Sequence, residues 1–235
     1  MDVRSASITA TPSQRTDPVL EAVDLYRFYH AGDDETLALR GVSLQLHPGQ
    51  IIAVTGPSGS GKSTLLACLA GLDEPDGGMV RVGGAAMSRQ PETERAALRA
   101  QKIGMLFQTG NLLDHLSVAQ NIAFAQRVAG KVDHRRIDDL LAKVGLSGRA
   151  GAAPATLSGG EAARAGLAVA LANDPLVILA DEPTGELDED AAARIMALLR
   201  QHAAAGAAVL VVTHNPNLAR AADREINLID GRIAS

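Results

Sequence analysis

The sequence predicts an α/β domain built on a mainly parallel sheet, with a helical block inserted into it. Three observations carry this. Apolar runs alternate with helix-spaced patterns along the chain. Leu176 to Ala180 and Ala207 to Thr213 are continuous apolar runs, as parallel strands covered on both faces must be. A polar, Ala-rich stretch over about 109–172 carries helical spacing instead.

The elements follow in order. Residues 1–17 are rich in Ser, Thr and Ala and lack an apolar centre, so they read as a flexible leader rather than a secretory signal. Their few acidic residues leave a transit peptide as the alternative. Residues 18–235 form the domain. Ser43 to Leu46 and Ile51 to Thr55 are short strands, and Lys62 to Ala70 is a helix. Met79 to Val82 and Ile103 to Phe107 are two more strands. Val118 to Val128, Arg136 to Val144 and Gly159 to Ala172 are the helices of the inserted block, the last one after a Gly/Ala/Pro-rich loop. Ala191 to Ala204 is the helix between the two apolar strands, and Ile226 to Ile229 a last short strand. The alanine richness reflects helix-forming bias.

Composition narrows the function. At 235 residues with 46% hydrophobic and 21% charged residues, the chain supports one full core. A net charge of -5 argues against a general nucleic-acid binder, and no nucleic-acid partner is expected. No apolar run reaches the ~18 residues that span a bilayer, so membrane work must pass through another chain or another part of a complex. The lone Cys68, set in Leu65-Leu66-Ala67-Cys68-Leu69, reads as a small buried side chain and rules out an intrachain disulfide.

The strongest motif is Gly56-Pro57-Ser58-Gly59-Ser60-Gly61-Lys62-Ser63, with Thr64 following, which fits G-x-x-x-x-G-K-[ST]. Its glycines let the loop curl so that backbone N–H groups face phosphate oxygens. Lys62 adds a positive charge near the β/γ-phosphates, and the Ser63 hydroxyl can ligate Mg²⁺. A strand feeds the loop and a helix opens at its end, which adds the helix N-terminus to the anion site. The second motif is Leu176-Val177-Ile178-Leu179-Ala180-Asp181-Glu182. Side-chain alternation should send its two carboxylates apart, Asp181 to the Mg²⁺ shell and Glu182 to a water in line with the γ-phosphate. The third is Leu157-Ser158-Gly159-Gly160-Glu161, a second Ser/Gly helix start about twenty residues upstream of the acidic strand. As an N-cap it explains its own residue types. As a second phosphate cradle it is redundant in one chain and useful in a dimer, where each chain closes its serine and glycines over the nucleotide of the other.

With these motifs in this order, the chain resembles the ABC (ATP-binding cassette) ATPases from about Val19 to Ala234. The resemblance implies a P-loop NTPase core with an N-terminal antiparallel β subdomain and an inserted α-helical signature subdomain. It implies ATP and Mg²⁺ as ligands, and transport-coupled ATP hydrolysis by a homodimer that forms on ATP binding. It also implies an integral membrane permease as partner, which would hold the chain on the cytoplasmic face of the cell membrane. By the same resemblance Tyr29 is the aromatic that stacks on adenine, with Tyr26 and Phe28 as alternatives. Gln108 in Phe107-Gln108 contacts metal and water, and Leu157 to Glu161 is the signature. Gly185-Glu186-Leu187-Asp188 is the loop that crosses the dimer interface, and His214 in Thr213-His214 contacts the γ-phosphate. Glu182, His214, Gln108 and Lys62 are thus the candidate catalytic residues, and Ser63, Gln108 and Asp181 the candidate metal ligands.

Two departures stand out. Ala162-Ala163 replaces a glutamine pair common after the signature, with Arg164 retained, and Glu186 stands where relatives often have asparagine. Asn111 to Val118 and Asp181 to Gly185 resemble the lipoprotein-release and macrolide-export branch (LolD/MacB/FtsE-like). The chain ends soon after Gly231-Arg232-Ile233, without the added regulatory domain of many importers. An amino-acid-type importer ATPase and a soluble ABC ATPase of an assembly or repair complex are the alternatives.

Overall fold

The computed structural model describes residues 17–31, 34–109, 111–185 and 187–234. Apart from Asp17 the leader lies outside the described residues, and so does the departure at Glu186.

Strands β1 (Leu20–Ala31), β2 (Asp34–Leu46), β4 (Gly77–Val82) and β5 (Ala85–Ala86) form an antiparallel sheet in the order β2-β1-β4-β5. The segment expected as a short strand at Ser43 is the tail of the 13-residue β2, and β1 was not foreseen. The cause is visible in its burial. Leu20 and Ala22 face the core, then Leu25 does, because an irregularity between Ala22 and Leu25 shifts the register, with Asp24 at φ 48°. An extra residue of this kind flips the phase of the period-two pattern that reveals a strand.

The second sheet runs β10-β9-β3-β8-β7-β6, from β3 (Ile51–Thr55), β6 (Ile103–Leu106), β7 (Val177–Asp181), β8 (Ala208–Val212), β9 (Arg224–Ile229) and β10 (Arg232–Ile233). Its pairings are parallel except the closing β9–β10 hairpin. Alternate residues of its central strands serve two cores. Ile52, Val54, Leu210 and Val212 pack with Leu65 and Leu69 of α1 (Lys62–Leu69) and with the antiparallel sheet. Ile51, Ile178, Val209 and Val211 pack on the other side. There they meet α3 (Val118–Val128), α4 (His134–Lys143), α5 (Gly159–Ala170) and α6 (Glu189–Ala204). Three layers result, with both sheet faces dry, which is why β3, β7 and β8 read as unbroken apolar runs.

Helix α2 (Glu92–Lys102) was also unforeseen, and none of its residues is fully buried. Ionic contacts hold it: Arg95 pairs with Glu74 at 2.8 Å, and Arg99 donates to the Gly71 carbonyl at 2.9 Å. Short α7 (Pro216–Arg220) completes the helices. Cys68 is buried as expected, and burial pushes its thiol up to about 12. Among the described residues no helix is long and apolar enough to cross a membrane.

Candidate functional site

The order β3-β8-β7 and its register bring the motifs to one rim. Val54 is level with Val212, and Val212 with Asp181. The residues that follow are the Gly56 loop, Thr213-His214 and Glu182, so three segments far apart in sequence emerge side by side at the C-terminal edge of the sheet. Ligand sites in open α/β sheets lie at such edges.

The Gly56–Ser63 loop is tightly enclosed. Gly56 has φ 142°, and a Cβ there would lie 2.0 Å from the Leu228 carbonyl oxygen. At Gly61 (φ 100°) a Cβ would meet the Ala38 carbonyl oxygen at 2.4 Å. Only glycine fits at either position. The Gly231 amide donates to the Ser60 carbonyl at 3.0 Å, clamping the loop against the β9–β10 turn. Lys62 Nζ folds back across the loop, donating to the carbonyls of Gly56 (2.9 Å) and Pro57 (2.8 Å). Beside it opens a cleft of about 430 Å³, lined by Tyr29, Thr36, Arg40, Lys62, Ser63 and Thr64 among others.

Of the three candidate aromatics, Tyr29 lines this cleft. Tyr26 instead lies over two glycines, its hydroxyl 2.9 Å from where a Cβ of Gly41 would sit and its ring 3.3 Å from one at Gly77.

Asp181 closes β7. Burial pushes its carboxyl above the ordinary range and the neighbouring Glu182 adds to this, while Lys62 pulls the other way. Glu182 departs from simple strand alternation. Its φ of 45° lies in the left-handed region, unusual for a side chain of this size. Its amide still bonds the Val212 carbonyl at 2.9 Å. One carboxylate oxygen lies 2.8 Å from His214 Nδ1, and the other accepts from the Thr213 hydroxyl at 3.2 Å. Thr213 is wholly buried and was not singled out from the sequence as a site residue. Its position between an apolar strand and a histidine was the available signal.

Gln108 follows β6 and is exposed. Its amide nitrogen lies 3.4 Å from where a Cβ of Gly185 would sit. Gln108, Glu182, Gly185, Gly159, Ala162 and Ala163 border a second cleft of about 340 Å³. The Ala162-Ala163 departure thus puts two methyl groups where longer amides would stand. Arg164 Nε donates to the Val144 carbonyl at 3.0 Å, tying α5 to the end of α4.

At the start of α5, Ser158 Oγ accepts from the Glu161 amide (3.3 Å), and Glu161 accepts from the Ser158 amide (2.9 Å). This is a complete capping box. Glu161 also pairs with Arg149 at 3.3 Å, so its carboxylate is engaged within its own subdomain. The phosphate-loop cleft and the α5 cleft share no lining residue. Within one protomer the register sets Lys62, Asp181, Glu182 and His214 along one sheet edge, with Glu182 also bordering the cleft that Gly159 lines, while Lys62 lies on the other cleft.

Comparison with known proteins agrees with this architecture. Residues 39–185 match the family model described as ABC transporter. The macrolide export ATP-binding/permease protein MacB of Salmonella typhimurium (strain LT2) is 42% identical over 218 residues, covering 92% of this chain. MacB of Burkholderia thailandensis is 43% identical over 220 residues, again 92% of this chain. This chain spans about a third of the length of those relatives (34%). A dimeric ATP-binding cassette in a post-hydrolysis state bound to ADP and Pi superposes with a TM-score of 0.86 at 34% identity, covering 92% of this chain and 97% of that one. The family match over most of the chain, on a rim that carries the expected motifs, settles the assignment: this chain belongs to the ABC transporter family.

Proposed function

We propose that this chain is the ATP-binding and hydrolysing subunit of a transport complex. Two copies close on ATP and drive a membrane permease, in export, lipoprotein release or related mechanical transmission. The single observation behind this reading is the level alignment of Val54, Val212 and Asp181, which sets the lysine loop, Asp181 and the Glu182–His214 pair side by side at one sheet edge. Its relatives, among them an ATP-binding/permease protein and a dimeric cassette with ADP and Pi, support the same reading. The permease would hold the chain at the cytoplasmic face of the membrane.

The residues divide the work. The amides of Gly56 to Thr64 and the Lys62 ammonium bind the phosphates, Lys62 exchanging its two carbonyl partners for phosphate oxygens. Tyr29 stacks on adenine. Ser158, Gly159 and Gly160 of the second copy reach the γ-phosphate, while Glu161 holds that turn in shape. Glu182 accepts a proton from the attacking water as its oxygen bonds to the γ-phosphorus and the bond to the β-phosphate oxygen breaks. His214 and Thr213 hold Glu182, and His214 and Gln108 position γ-phosphate and water.

The donors Asp181, Ser63 and Gln108 are a carboxylate, a hydroxyl and an amide, oxygen chemistry that suits Mg²⁺. When bound, the ion would neutralise phosphate charge.

Glu182→Gln tests the reading. The variant should bind ATP, sediment as a dimer with it, and hydrolyse about 10²–10⁴-fold more slowly, the usual worth of a positioned general base. Hydrolysis at a near wild-type rate removes Glu182 as the base. Affinity capture of the wild-type chain should recover a multi-span permease, and recovery of soluble partners alone would exclude the transport role.

A further inference from the structure

Tyr29 reaches the cleft already held by its neighbours. The Arg27 guanidinium lies over one ring face, 4.7 Å from the centroid. The Tyr29 hydroxyl donates to Asp73 at 2.7 Å. Arg27 is itself fixed by a fork, with Nε to one Asp73 oxygen at 2.9 Å and a terminal nitrogen to the other at 2.8 Å. Its remaining terminal nitrogen donates to Asp76 at 3.0 Å. Asp76 ties back to β1, accepting from the Phe28 amide at 2.7 Å and donating its own amide to the Tyr26 carbonyl at 2.9 Å.

Asp73 and Asp76 lie in the loop that leaves α1, the helix opened by the phosphate loop. The network therefore joins the aromatic to the element that carries Lys62. Bidentate Arg–carboxylate pairs fix orientation as well as energy. Burial pushes the Asp73 carboxyl up, but the hydrogen bonds from Arg27 and Tyr29 outweigh it and hold it below the ordinary range. Asp73 is thus an ionised acceptor at neutral pH. Arg27 covers one face of the ring, which leaves the other for a planar base.

We propose that Arg27 and Asp73 are positioning residues that lock the Tyr29 ring as a preformed stacking platform for the purine of the bound nucleotide. The inference rests on the reading of Tyr29 as the base-stacking residue. A ring fixed before binding loses less freedom when the base arrives, so the base contributes more to affinity. Charge enters too: Arg27 neutralises two carboxylates that would otherwise stand near an anionic ligand.

The test compares affinity for MgADP with that for magnesium pyrophosphate in the full chain by calorimetry. The ratio isolates what the nucleoside adds, and a purely structural defect lowers both affinities together. Tyr29→Ala should reduce the preference for ADP about tenfold. Arg27→Gln and Tyr29→Phe should each reduce it about two- to fivefold, the first by removing the guanidinium and the second by releasing the hydroxyl anchor. Tyr29→Phe leaves the Arg27 fork intact and decides alone if Arg27→Gln does not fold. A wild-type ratio in either folded variant, with Tyr29→Ala still impaired, overturns the positioning role and leaves stacking in place. A wild-type ratio in Tyr29→Ala itself overturns the stacking reading and this inference with it.

Discussion

Two helices of this molecule begin at serine–glycine turns, and their first turns are furnished in opposite ways. At α1 the N-cap is Gly61 in a left-handed conformation, with no side-chain cap and no acidic residue in the first turn. At α5 the N-cap is Ser158 inside a complete capping box, with Glu161 in the first turn. Both starts have free amides and the positive end of a helix dipole to satisfy. The α1 start leaves them to an outside anion and adds Lys62. The α5 start brings a carboxylate of its own, which completes the box and pairs with Arg149. The box engages the amides of Ser158 and Glu161, and among the described residues those of Gly159 and Gly160 have no hydrogen-bond partner. The Ser158 hydroxyl also keeps its own proton to donate. On the proposed reading, a helix start that receives a triphosphate directly stays uncapped, and one that meets it only when a second copy arrives is folded beforehand by its own glutamate.

The sharpest way to break this comparison is Ser158→Arg. If α5 acts only on the nucleotide of a second copy, ATP affinity of the isolated protomer should stay within about twofold of wild type. Hydrolysis should fall about 10²-fold or more, as when a preorganised donor to developing charge is lost. Equilibrium binding and steady-state hydrolysis on the same preparation decide it, and full activity refutes a shared site. Lys62→Ala tests the other helix. Losing a charged donor to phosphate should weaken binding about ten- to hundredfold, in protomer and dimer alike. Unchanged affinity would mean that the loop amides suffice and that the bonds of Lys62 to Gly56 and Pro57 are its purpose.

Why one start and the acidic rim were legible, and other parts were not, follows from how far each signal reaches along the chain. The phosphate loop is local: spacing, glycines and the flanking strand and helix all lie within some twenty residues, and Gly56 and Gly61 occupy positions where a Cβ collides with backbone. The central strands were legible because both faces are buried, so no phase had to be read. Strand β1 was missed because a register shift inverts its alternation midway, and α2 because only Leu98 marks its apolar side against the core, with charge pairs holding the rest. The choice among Tyr26, Phe28 and Tyr29 needed tertiary facts, since Tyr26 is occupied by Gly41 and Gly77 on neighbouring segments. The bend at Glu182 was equally hidden: alternation predicts that adjacent carboxylates diverge, but the left-handed φ and the Thr213–His214 partners set where Glu182 goes.

The smallest expected effect sharpens the comparison from the α5 side. In Glu161→Ala the box opens, so the chain should melt earlier at neutral pH, while the equivalent start at α1 offers nothing comparable to remove. The sign with pH follows from the carboxyl. The Ser158 amide holds it below the ordinary carboxylate range against a burial penalty, with Arg149 adding to the lowering. A carboxyl with a lowered folded-state pKa stabilises the fold above its unfolded pKa, and that stabilisation disappears as pH falls through the lowered value. The melting difference between wild type and Glu161→Ala should therefore be full at pH 7 and shrink on acidification below the ordinary carboxylate range. Arg149 and Glu161 are exposed enough for salt to screen their pairing, so raising ionic strength at pH 7 should remove only part of the difference, the remainder being the hydrogen bonds of the box. A difference independent of pH would mean that Glu161 stabilises α5 by packing alone, and the contrast between a helix start kept open and one closed by its own carboxylate would lose its physical basis.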